Sequence, residues 1–82
     1  MQHWQQMQST ANSLTIITIA INERISNILR GMSKNDILSK IYVVEQLKAL
    51  TTLVEKQASL LQVLADASVN STKEIEEYLN EN

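Results

Sequence analysis

The chain has no cysteine, no proline, no phenylalanine, one glycine and one histidine among its 82 residues. Without cysteine there is no disulfide, no thiolate nucleophile and no cysteine-ligated zinc or iron–sulfur site. Without proline, and with Gly31 as its one glycine, the chain has almost no punctuation for hairpins or loops, so long helices are the natural expectation. His3 stands beside the chain terminus with no second ligand type near it, and no metal site is expected there. The same shortage removes the base that a serine or threonine nucleophile would need. No catalytic residue and no cofactor is therefore assigned.

Charge is sparse too. Seven basic and nine acidic residues give a net charge of −2, and no basic stripe marks a nucleic-acid partner. The distribution is uneven. Residues 1–65 carry six basic and four acidic groups, whereas residues 66–82 set Asp66, Glu74, Glu76, Glu77 and Glu81 against Lys73 alone. An acidic tail after a nearly neutral body reads as a solubilising end. Glu74, Glu76 and Glu77 suit a solvated helix start better than a pair of catalytic carboxylates.

Long apolar runs are also missing. The longest, Leu14 to Ile21, is eight residues with Thr15 and Thr18 inside it, against about 20 needed to cross a bilayer. The N-terminus lacks the basic start and cleavage site of a secretory signal. The expectation is a soluble protein without a membrane span, cytoplasmic or exported without a cleavable signal.

What the chain does have is periodicity. Trp4, Met7, Ala11, Leu14, Ile21, Ile25 and Ile28, with Thr18 interrupting, recur at heptad spacing, the mark of a helix that lies against another helix. This predicts a first helix over residues 4–30, although the β-branched run 14–21 would also suit a buried strand. Gly31 is expected to close that helix in the left-handed conformation, with Arg30 at the negative helix end. Ser33, Asn35 and Asp36 offer capping groups for a second helix over 36–69, after a turn at 31–35. Val43, Leu47, Leu50, Leu53, Val54, Ala58, Leu61, Leu64 and Ala65 hold one face of it. Lys48, Thr52, Glu55, Ser59, Gln62 and Asp66 hold the other.

Ser68–Thr72 is poor in helix formers, and Ser71 with Glu74 has capping-box spacing. A short third helix at about 72–80 is expected, within an acidic C-terminal segment 70–82, the alternative being a second helix that simply continues. The fold class is thus all-α: an antiparallel hairpin of two long helices, 1–69, plus a short C-terminal helix.

Hydrophobicity exceeds what one helix–helix contact can use. Ile16, Ile19 and Ala20 point away from the first stripe, and Ile37, Ile41 and Val44 lie on the side of the second helix that later becomes polar. Leaving such faces in water forgoes about 25 cal/mol per Å². The short third helix could cover only part of one face, so completion of a bundle by association is expected. The candidate interaction residues are Trp4, Ile16, Ile19, Ile37, Ile41 and Val44. Trp4 suits either an interface anchor or a bundle end, and Tyr42 is expected buried with its hydroxyl at the rim. Asn70-Ser71-Thr72 matches the N-glycosylation pattern, a short motif that recurs by chance.

In outline the chain resembles the small cysteine-free helical hairpins found among bacterial secretion-system subunits, their chaperones and phage proteins. It lacks the Trp-X-Gly turn of one such group, because Gly31 follows Leu29 and Arg30, and no family is assigned. The functional expectation is a non-enzymatic interaction protein that self-associates, a dimer in the simplest case, as a small assembly subunit. The alternative is an adaptor, chaperone or inhibitor that binds an amphipathic helix of a partner protein.

Overall fold

The run Leu14–Ile21 is helical throughout. Its two threonines are satisfied inside the helix: Thr15 Oγ1 donates to the Ala11 carbonyl at 3.0 Å and Thr18 Oγ1 to the Leu14 carbonyl at 2.8 Å. Back-bonding of this kind lets hydroxyl side chains sit mid-helix without seeking other partners. A computed structural model describes residues 2–81 as two helices, α1 over Gln2–Met32 and α2 over Ile37–Glu81. Among the described residues there is no strand, and no helix is long and apolar enough to cross a membrane.

Asp36 ends the turn. Its carboxylate accepts from the Ser39 amide at 2.6 Å, the N-cap bond of α2. Ser33 instead serves the end of α1, its hydroxyl donating to the Arg30 carbonyl at 2.7 Å. Gly31 does not close α1 as expected. It is helical, and no described residue has positive φ. Its importance is spatial, since a Cβ at Gly31 would lie 2.7 Å from Val43 Cγ2 and 3.1 Å from Tyr42 Cδ1.

The expected third helix is absent, because α2 continues through residues 68–72. Thr72 Oγ1 donates to the Ser68 carbonyl at 3.0 Å, Ala67 and Ser71 are buried, and Glu74 reaches His3 at 3.2 Å instead of closing a capping box. With neither glycine nor proline beyond Gly31, nothing forces the helix to stop. Contact with α1 outweighs the weak local propensity.

The helices pack along an unbroken heptad seam. In α1 the residues withdrawn from solvent include Met7, Leu14, Ile21 and Ile28 at a, and His3, Thr10, Ile17, Arg24 and Gly31 at d. In α2 they include Val43, Leu50, Gln57, Leu64 and Ser71 at a, and Ser39, Gln46, Leu53, Leu60, Ala67 and Glu74 at d. The 3-4 alternation of both series keeps one line of each helix against the other. The stripe read from α1 is therefore half right. Its a residues are in the seam, but Trp4, Ala11, Thr18 and Ile25 are exposed one position beyond it. In α2, Leu47, Val54, Ala58, Leu61 and Ala65 are displaced from the seam in the same way, while the expected polar face is exposed throughout.

The result is long and thin, 68 × 14 × 14 Å with a radius of gyration of 19.1 Å. A compact 82-residue domain would have a radius of about 12 Å. Among the described residues Ile17, Ile28 and Ala67 are the buried apolar side chains, and no large side chain is fully enclosed.

Candidate interaction surface

Each helix carries its apolar arc beyond the seam, and in both it extends toward e. In an antiparallel pair the two e columns share one edge of the seam and the two g columns share the other. The g edge is poorer in apolar surface and mixed in character: Gln6, Lys56 and Asn70 are exposed there beside Tyr42 and Val63. Ser13, Ala20, Asn27 and Ala49 are small or short and partly covered there. The e edge is open and apolar: Trp4, Ile25 and Met32 from α1, with Leu47, Val54, Leu61 and Ile75 from α2, are all exposed. Trp4 keeps 59% of its surface in solvent. At the neighbouring b positions, Leu29 and Val44 widen the same surface.

Two local features fix the e edge in the structure. Gln57 Nε2 donates to Thr18 Oγ1 at 3.3 Å, tying the helices together near mid-length. Toward the open end, Trp4, Met7, Gln8, Ala11 and Leu64 line a hollow that is apolar apart from Gln8. An arc spanning a, d and e is the pattern of a helix with two helical neighbours, whereas a and d alone suffice for one. Each helix here has one.

The expected interaction residues are not gathered into one patch. Trp4, Ile37 and Val44 lie on the open e and b side. Ile16, Ile19 and Ile41 lie at c and f, on the outer surfaces of the hairpin, and all six are exposed. Tyr42 is also exposed, at 42%, with its ring beside Gly31. At the turn, Met32, Ile37, Leu38 and Ile41 form an exposed apolar tip.

Sequence reasoning missed the polar members of the seam. Gln46 is buried, and its Oε1 accepts from Arg24 Nη1 at 2.9 Å and from Asn27 Nδ2 at 3.4 Å. Arg30 in turn donates to Asn27 Oδ1. Arg24 and Gln46 are found by following 3-4 spacing without requiring each member to be apolar. The cluster is a structural polar layer within the packed interface. Among the described residues no group of three His, Asp or Glu is placed to hold a metal. No family model, curated protein or solved structure matches the chain.

Proposed function

We propose that this protein is a non-enzymatic assembly subunit that works by helix–helix association, with the e edge of the hairpin as its working surface. One observation carries the reading: both helices extend their apolar arcs to the same side, where the described residues supply no third helix to receive them. Accessible area supports it. A folded chain of 9.3 kDa is expected to expose about 5,000 Å², whereas this one exposes 6275 Å². The surplus of about 1,300 Å² per chain is what one side of a large, obligate interface removes from water.

The test is absolute mass by light scattering across a wide concentration range. The chain is expected to run at a multiple of 9.3 kDa. Leu47→Glu, on the e edge, is expected to dissociate it, while Glu55→Gln on the polar face leaves the mass unchanged. A wild-type protein at single-chain mass would overturn self-association. It would favour the adaptor or chaperone reading, in which a partner's amphipathic helix occupies the same edge.

A further inference from the structure

Resting on that reading, we propose that the occupant of the e edge is one second copy of this chain lying antiparallel to the first, so that the C-terminal turns of each α2 cover the apolar tip of the other hairpin.

Register gives the placement. With Gly31 against Val43, heptad steps set Ile17 opposite Gln57 and His3 opposite Ser71. The middle of the packed seam falls at the Gln57–Thr18 bond. A twofold axis through that point brings the polar pair of one copy onto that of the other, and puts the turn half of each hairpin on the open half of its mate. Bulk is then complementary. Ile25 and Leu47 of the turn half meet Ala11 and Ala65 of the open half, and Leu47 comes level with the hollow beside Trp4. A parallel arrangement sets Ile25 on Leu47, large on large, which packs less well.

The ends fit in the same orientation. α2 has 45 residues to the 31 of α1, and beyond Glu74 it extends past the start of α1. Those eight residues, 74–81, are about 12 Å of helix. From a twofold at Thr18 the first of them reach the turn of the second copy, setting Ile75 level with Ile37 and Trp4 level with Met32, all exposed.

Charge selects the same orientation. Residues 18–56 hold six basic and four acidic groups, whereas residues 57–82 hold one basic and five acidic. Antiparallel pairing sets the acidic ends beside Lys34 and Lys40. Parallel pairing sets acid on acid, which is repulsive.

A nitroxide on Ser33→Cys reports the orientation, because the turn is exposed and the chain has no other cysteine. At about 1.5 Å per residue the two labels of an antiparallel dimer are expected roughly 50 Å apart, measured by pulsed dipolar spectroscopy on a sample of twice 9.3 kDa. A separation below about 20 Å, two interhelical spacings, would overturn the orientation and leave self-association standing. A mass above twice that of the chain would overturn the two-copy arrangement. A single-chain mass with no dipolar coupling would overturn this inference together with the functional reading. Charge exchange gives an independent test. Lys34→Glu/Lys40→Glu and Glu76→Lys are each expected to weaken dimerisation several-fold alone. Mixing them should restore it, because both end contacts of the mixed dimer then pair opposite charges. No recovery on mixing would count against antiparallel pairing.

Discussion

Gly31 is the residue on which the turn end depends, through the space it leaves empty. An alanine there gains helix propensity of up to about 1 kcal/mol, but its Cβ would stand 2.7 Å from Val43 Cγ2. Valine has little freedom to move aside, and overpacking of this kind costs about 1–3 kcal/mol. Gly31→Ala is expected to lower the denaturation midpoint, and Val43→Ala in the same chain to restore part of the loss. At Gln46, two donors converge on one buried oxygen. Gln46→Leu strands the partly covered Arg24, at a cost of about 1–3 kcal/mol by chemical denaturation. The double variant Arg24→Met/Gln46→Leu is expected to recover most of it. Asp36 gives a pH signature. The Ser39 amide holds its carboxyl below the usual 3.8, so the stability it contributes is present above that value. It is lost as pH falls through the lowered folded value. The difference in melting temperature between wild type and Asp36→Ala should be constant above about pH 5 and close below about pH 4.

At the scale of the helices, existence and pairing were legible, but rotation and one boundary were not. The absence of proline and the spacing of Met7, Leu14, Ile21 and Ile28 give two long antiparallel helices from composition and period alone. Rotation was misread because apolar residues were weighted over polar ones. Ile25 and Leu47 attract attention at e, whereas Thr10, Arg24, Gln46 and Gln57 hide the true line at a and d. The extra apolar residues at e carry the arc past the seam, so it points between the seam and the open edge. The proposed interaction surface was legible only as a surplus. Trp4 and Val44 mark its edge, but Ile16 and Ile19 do not, since sequence alone did not fix how α1 is turned against α2. The break expected near residue 70 failed for a related reason. Ser71 looks like a cap locally, but in the fold it is a small residue that admits close approach. Its buried Oγ has no hydrogen-bond partner. Ser71→Ala is therefore expected to stabilise the protein by about 1 kcal/mol, read as a higher melting temperature.

The whole molecule is a rod whose ends differ in charge and whose sides differ in polarity. If two copies close one bundle, unfolding and dissociation are a single event, and the melting temperature should rise with protein concentration. A melting temperature independent of concentration would mean that the hairpin holds together alone. The unbroken seam has a further consequence for length. Because every layer repeats the last, the rod is a ruler graduated in sevens. Removing residues 11–17 from one arm and 57–63 from the other takes out matching rungs, shortens it by about 10 Å and leaves the remaining layers in step. Inserting one residue after Leu53 turns everything beyond it by about 100° and swings Leu60, Leu64 and Ala67 off the seam. Within the seam the chain can change length in paired heptads and stay in phase, losing only the layers removed, while a single-residue change in one arm is a phase error that no side-chain adjustment repairs.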